Sequence, residues 1–362
     1  MQTAIPFLFL RGGTSRGPYL NRADLPQDHE TLAEVLIAMV GSGHKLNIDG
    51  IGGGAAVTTK VAMLSRSADA WAEIDYFFAQ VSVEDRLVDF KPTCGNILVG
   101  VGPAAIEMGL IPASGAETEV RIHAVNTGAK VAARVQTPDG AVAYDGAARI
   151  DGVPGTAAPI SLQFMETVGG ATGHMFPNGA RREEIDGIDV SCIDVAMPMV
   201  IARADAFGLT GTETPEALDA DRAFMDRMEA VRRVAGKRMG MGDVTASVTP
   251  KFGLLAPPRD GGSATVRYFM PWNCHPTLAV TGSQCLATCL LCPGTVGEGI
   301  LPAPNSGRAA LALEHPMGKL EVTVEFDRSG DDFTLHSAGL VRTARKLAAG
   351  EVFIPQSVWP GP

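Results

Sequence analysis

The order of segments in the first half of this 362-residue chain is repeated in the second. Ile5–Leu10 reads as a strand, Gly12-Gly13 as a turn and Thr31–Val40 as a helix. A glycine-rich loop, Gly50–Gly54, leads to strands at Thr58–Leu64 and Ile74–Val83. An apolar helix after Cys94 follows, then strands near Val120–His123 and Val131–Val135, with a hairpin turn at Asp139-Gly140. The second round begins with a long strand pattern through Ile188–Ala202 and a charged helix over Pro215–Arg238, acids early and basic residues late. Thr249-Pro250-Lys251-Phe252-Gly253 then echoes Thr59-Lys60-Val61-Ala62, and Val266–Met270 echoes Tyr76–Val81. A helix opening at Thr281-Gly282-Ser283 and strands at Leu320–Phe326 and Phe333–Ser337 close it. Each half therefore reads as strands wrapped on one central apolar helix. The expected fold class is α+β with two pseudo-symmetric domains, and a cleft between them is the default binding site. The domains are expected at residues 1–155 and 156–345, with a break in Asp151–Pro159 and 346–362 returning to the first.

Composition narrows the function classes. A hydrophobic content of 46% with 19% charged residues fits a soluble globular protein. A net charge of -10 with no basic stripe argues against nucleic acid as partner. A small anionic substrate needs only local positive charge. Ile5–Leu10 is cut off by Arg11, too short for a secretory core or a membrane span, and no other segment approaches spanning length. The six cysteines (Cys94, Cys192, Cys274, Cys285, Cys289 and Cys292) then read as free thiols of a reducing cytoplasm.

Several motifs carry chemistry. In Pro92-Thr93-Cys94-Gly95-Asn96 a lone cysteine stands where a loop turns into a helix. Unpaired N–H groups there bias a thiol toward thiolate and offer donors to an anionic substrate. Gly50-Ile51-Gly52-Gly53-Gly54 resembles a dinucleotide fingerprint, but the β-branched run Val57–Val61 reads as a strand where a helix is required. Its glycines serve better for converging backbone N–H groups on a carboxylate. Cys285, Cys289 and Cys292 have the spacing of an iron–sulfur motif, yet they punctuate an apolar helix and read as small core residues, so no metal is expected. Arg11-Gly12-Gly13-Thr14-Ser15-Arg16-Gly17 reads either as an exposed turn or as an anion clamp. His275 stands before the second central helix and is a further candidate facing the cleft. Lys60, between Val57 and Val61, either points to solvent or, in a dry cleft, loses proton affinity and serves as a general base.

Taken in order, Arg11–Gly17, Asp49-Gly50-Ile51-Gly52-Gly53, Thr59-Lys60-Val61-Ala62, Cys94-Gly95-Asn96 and Thr281-Gly282 resemble the methylaconitate isomerase/4-oxalomesaconate tautomerase family, a branch of the diaminopimelate epimerase-like fold. The resemblance covers nearly the whole chain. It implies two barrel-like sheets, each around a central helix, and cofactor-free isomerisation of an unsaturated di- or tricarboxylate. It also implies Lys60 as the catalytic lysine, Cys94 as the cysteine at the first helix start, and Gly95-Asn96 and Gly282-Ser283 as helix-end donors. By the same resemblance Thr14-Ser15 and Gly53-Gly54 hold substrate carboxylates, no cofactor is needed, and a homodimer is compatible.

One departure matters. Epimerases of this fold carry a cysteine at each helix start, whereas Thr281-Gly282 stands opposite Cys94-Gly95 here. A register four residues away would pair Cys94 with Cys285, because Lys60 to Cys94 and Lys251 to Cys285 both span 34 residues. The Thr-Gly register is preferred because it puts a glycine at the helix start. The expected reaction is keto/enol tautomerisation of 4-oxalomesaconate in aromatic-acid breakdown, with either Cys94 or Lys60 returning the proton. The alternatives are 2-methylaconitate isomerisation in propionate breakdown, a two-base epimerase, and a catalytically silent carboxylate-binding protein.

Overall fold

Strand pairing repeats the duplication read from the sequence. The structure is a computed structural model and describes all residues except 271, 303, 305 and 362. It divides into two units, Met1–Gln163 with Val341–Pro362, and Phe164–Leu340. The first holds β1 (Gln2–Gly12), β2 (Ser15–Asn21), β3 (Lys60–Arg66), β4 (Ile74–Val81) with the short β5 (Val88–Asp89) beside it, β6 (Glu117–Ala124) and β7 (Ala129–Gln136). Helix α1 (His29–Val40) separates β2 from β3, α2 (Gly95–Leu98) and α3 (Val101–Glu107) precede β6, and β8 (Pro159–Met165) ends the segment. β2 is parallel to β3, β3 antiparallel to β4, β4 parallel to β6 and β6 antiparallel to β7.

The second unit holds β9 (Glu183–Ile185), β10 (Ile188–Asp194), β11 (Pro198–Arg203), β12 (Lys251–Ala256), β13 (Ala264–Phe269), β14 (Gly307–His315) and β15 (Gly318–Ser329). The four relations recur: β11 parallel to β12, β12 antiparallel to β13, β13 parallel to β14, β14 antiparallel to β15. Helices α4 (Pro215–Ala220) and α5 (Arg222–Arg238) take the place of α1, and α6 (Val280–Leu291) takes that of α2 and α3. Strand β16 (Asp332–Pro355) pairs with β15 up to Leu340 and, from Ala344 on, with β1. The class is α+β, as expected, with few helices and much sheet. No described helix is long and apolar enough to cross a membrane.

A central helix organises each unit. In α6 every residue from Gly282 to Leu291 is buried, among Ile193, Met199, Val266, Leu311 and Val322 of the surrounding strands. Burying each of its leucines, Leu286, Leu290 and Leu291, contributes about 1.5–3 kcal/mol. Cys285, Cys289 and Cys292 belong to this packing. Burial pushes the thiols of Cys285 and Cys292 up to about 12 and that of Cys289 up to about 11. Cys285 Sγ lies 3.0 Å from the carbonyl oxygens of Val195 and Met197.

Four local readings are corrected. Ile188–Ala202 is a hairpin, β10 and β11, turning through Ala196 at φ 63° with no glycine to announce it. Pro215–Arg238 is two helices, because Asp221 caps the second by accepting from Phe224 N at 3.0 Å. Val57–Thr59 is not strand: Ala56–Thr58 forms a 3₁₀ turn in which the Thr58 hydroxyl bonds the Ala55 backbone, and β3 starts at Lys60. Asp139-Gly140 turns through positive φ at both residues, yet the chain after it forms no strand before β8.

Glu314 of β14 ties down the connection between β12 and β13. It accepts from the backbone N–H groups of Arg259, Asp260 and Gly262 and from the Thr265 hydroxyl, each at 2.7 Å. Burial pushes its carboxyl up, but these four donors outweigh burial and hold it at about 2. A carboxyl depressed in the folded state stabilises above its unfolded pKa of about 4.3, and loses that contribution as pH falls toward 2. Glu314→Gln should therefore cost about 1–3 kcal/mol at pH 7. Urea titrations should show the gap from wild type closing between about pH 4.5 and 2. A gap unchanged at pH 2 would refute the role of the charge.

Candidate active site

Lys60 is the first residue of β3, and its position is set by β2. A Cβ on Gly17 would lie 1.8 Å from the Lys60 carbonyl oxygen, so only glycine lets β2 pass there. Phe78 of β4 walls the side chain, with Nζ 5.5 Å from the ring centroid. Nζ ends 3.4 Å from Cys94 Sγ. Both residues are partly exposed. Among the described residues no carboxylate pairs with Lys60.

Cys94 is the N-cap of α2. Its carbonyl accepts from Leu98 N at 2.9 Å and from the Tyr76 hydroxyl at 3.3 Å. Burial, then the neighbouring Cys94, pushes the Tyr76 phenol well above its ordinary value, which keeps it a donor. The N–H groups of Gly95, Asn96 and Ile97 have no acceptor within the helix. A Cβ on Gly95 would meet nothing within 4 Å, so open space lies beside them. The single helix expected here is two, broken at Val99-Gly100, where the buried Tyr19 donates to the Ile97 carbonyl at 2.6 Å. Polarisation at Cys94 is thus that of one turn and its free N–H groups rather than of a long dipole.

The structure brings Thr14 to this centre. Asn96 Nδ2 donates to the Thr14 hydroxyl at 3.0 Å, and Thr14 N lies 3.4 Å from Asn96 Oδ1. Gly13, at φ 51°, abuts the same amide. Ser15 opens β2, is 3% exposed, and its hydroxyl has no partner among the described residues. Gly53 packs against Thr58 and Arg16. The Gly54 N–H donates to Asn47 Oδ1 at 2.8 Å and is already occupied. Nη1 of Arg11 is occupied as well, donating to the carbonyls of Gly13 and Thr343 at 2.8 and 2.9 Å.

The remaining candidates belong to the second unit. His275 N donates to the Tyr268 carbonyl, and Nδ1 accepts from Thr277 N at 2.9 Å. Burial depresses its pKa, which favours the neutral ring. Thr281 is exposed, its hydroxyl 3.2 Å from Met197 Sδ, and Gly282 packs on the Tyr268 ring. Helix α6 is capped by Ala279, one turn before Ser283. Ser283 N therefore donates to Ala279 O and its hydroxyl to Val280 O, so the free helix-end donors are Val280, Thr281 and Gly282. No group of three or more His, Cys, Asp or Glu side chains among the described residues could hold a metal ion.

Sequence reasoning missed Tyr76, Phe78 and Tyr19, which hold Cys94, Lys60 and the helix break. The alternation of β4 was the available signal, since it sets Tyr76 and Phe78 on one face. The assembled chemistry is an amine and a thiol 3.4 Å apart, beside unpaired backbone donors. Either partner can take a proton from a carbon acid and the other return it.

Comparison with known proteins gives the family. The family model for PrpF protein matches residues 2–355. The chain is 48% identical over 351 residues to YbhH of Escherichia coli (strain K12), whose name assigns an isomerase without a substrate, covering 97% of this chain and 99% of that one. It is 44% identical over 361 residues to the 4-oxalomesaconate tautomerase of Pseudomonas putida (strain KT2440), covering 100% and 99%. The crystal structure of methylitaconate-delta-isomerase superposes with a TM-score of 0.89 at 32% identity, covering 99% of this chain and 97% of that one. This chain belongs to the PrpF protein family.

Proposed function

We propose that the protein is a 4-oxalomesaconate tautomerase that needs no cofactor, with Lys60 and Cys94 as its proton-transfer pair. The observation that carries this reading is the 3.4 Å contact between Lys60 Nζ and Cys94 Sγ at the start of α2. Full-length identity of 44% to a relative named for that activity supports the substrate. Lys60 removes a proton from the carbon between the carbonyl function and the double bond. The electron pair left behind spreads over the conjugated system as a dienolate. Backbone N–H groups of Gly95, Asn96 and Ile97 are the donors placed to stabilise it. Cys94 then returns a proton at the other end, and the proton on Lys60 restores the thiol, so atoms balance with no redox step. Asn96, with the Thr14 and Ser15 hydroxyls, supplies neutral donors for substrate carboxylates. Six unpaired thiols, five of them buried, suit a reducing cytoplasm.

Proton NMR of 4-oxalomesaconate in D₂O tests the reading directly. Wild type should interconvert the tautomers and wash deuterium into the labile carbon. Faster turnover of 2-methylaconitate or methylitaconate would reassign the substrate. Lys60→Met keeps the bulk of the stem but not the base, and should lower kcat by about 10²–10⁴ with a smaller change in KM. Deuterium wash-in at the wild-type rate in that variant would remove Lys60 from the mechanism.

Gly17→Ala should also cut kcat, although residue 17 touches no substrate. The added methyl must push the Lys60 backbone aside and lengthen the contact to Cys94. Misplacement by about 1 Å costs on the order of 10² in rate. A folded Gly17→Ala protein with wild-type kcat would show that the spacing of the pair does not matter.

A further inference from the structure

Arginines 11 and 345 are cross-strand partners, and Arg16 is the partner of Arg11 on its other side. Directly paired residues project from the same face of a sheet, so three like charges stand in one row. Such a row is destabilising unless something offsets it. The protein does so only in part. Arg16 lies over the Phe9 ring, 5.9 Å from its centroid. Arg11 is part-buried, and among the described residues no carboxylate pairs with it. Its Nη1 meets two carbonyl oxygens, while Nε and Nη2 have no acceptor among the described residues. Among the described residues the one carboxylate near Arg345 is Asp145, at 3.8 Å and 97% exposed, which makes it a weak partner, and Nη2 also donates to the Thr156 carbonyl at a long 3.4 Å.

Both guanidiniums line a cavity of about 260 Å³ in the first unit. Its other walls include Thr343, Thr156 and the apolar residues Ile150, Val153 and Leu347. The volume lies below the roughly 300 Å³ lower edge of drug-sized pockets, which sets the scale of an occupant. Guanidinium forks match the two oxygens of a carboxylate. The apolar walls match a short carbon skeleton, where a bare phosphate would gain nothing. Burial and then the neighbouring Arg345 depress the Arg11 pKa, and an anion between the two guanidiniums offsets their repulsion.

We propose that this cavity binds a small carboxylate with a short apolar tail, gripped by Arg11 and Arg345 and separate from the Lys60–Cys94 pair. This inference goes beyond the proposed tautomerase activity and does not rest on it.

Isothermal titration of the full-length protein with pentanoate, and separately with inorganic phosphate, tests the proposal. Pentanoate should bind wild type and Lys60→Met alike. Arg345→Gln should weaken it by at least about tenfold, the loss of one charge-assisted contact. Val153→Asp should do the same by placing a carboxylate in the cavity. Circular dichroism establishes that each variant is folded, and Val153→Asp carries the test if Arg345→Gln does not fold. Phosphate should bind more weakly than pentanoate. The proposal is overturned if pentanoate fails to bind wild type, or if Lys60→Met abolishes binding. It is equally overturned if the folded cavity variants bind as wild type does, or if phosphate matches pentanoate with the same dependence on Arg345.

Discussion

A helix with no polar face is stable only where something wraps it. Helix α6 is buried along its length from Gly282 onward, and in α2 and α3 Ile97, Leu98 and Val101–Ala105 are buried as well. Each therefore needs a sheet curved around it, and the same alternation of parallel and antiparallel neighbours supplies one twice. Wrapping leaves the helix start as the place where unpaired N–H groups reach open space. The chemistry follows from the packing: a chain that buries a helix this way presents backbone donors at its mouth, and Cys94 stands there.

What fixes the reactive pair is steric exclusion more than attraction. The hydrogen bonds from Tyr76 to Cys94 and from Tyr19 to Ile97 contribute about 0.5–1.5 kcal/mol each. That is enough to bias a geometry but not to enforce one. The passage of β2 against β3 leaves no such latitude, because a side chain at Gly17 would overlap the Lys60 carbonyl. A side chain at Gly12 would likewise overlap the Asn96 carbonyl. The glycines of the Arg11–Gly17 turn thus act through where they let other backbone go, holding the lysine strand and the thiol helix at a separation at which a proton can pass.

This explains what was legible in the sequence and what was not. The duplication was legible because apolar periodicity reports burial, and burial is what the fold repeats. Lys60 was legible as a lysine in a strand pattern and Cys94 as a thiol where a loop turns into a helix. The partners of polar backbone were not legible. Nothing in Gly50–Gly54 says that Asn47 already holds the Gly54 N–H, and nothing in Arg11–Gly17 says that Nη1 of Arg11 already meets two carbonyls. Such assignments depend on residues far away in sequence, Thr343 being 332 positions from Arg11. The hairpin at Ala196 was hidden for a different reason. Its turn residue is an alanine in a conformation usually left to glycine, so no turn composition marks it.

The two units have kept one topology and diverged in their chemistry. Lys60 opens β3 and Lys251 opens β12 at the corresponding point. In the first unit a cysteine is the N-cap residue of the helix that follows, whereas Ala279 holds that position in α6 and Thr281 lies two residues on. Cys285 does not replace it. It lies a full turn inside the helix, wholly buried, with its thiol pushed up to about 12 by burial and turned toward backbone carbonyls. A thiol in that state neither gives nor takes a proton near neutral pH. The second unit therefore offers hydroxyl and backbone donors where the first offers an amine–thiol pair. Inversion at one carbon needs an acid and a base on opposite faces, and this distribution does not provide two thiols for it. Moving a proton along a conjugated system needs a single pair that removes it at one carbon and returns it at another, the role proposed for Lys60 with Cys94.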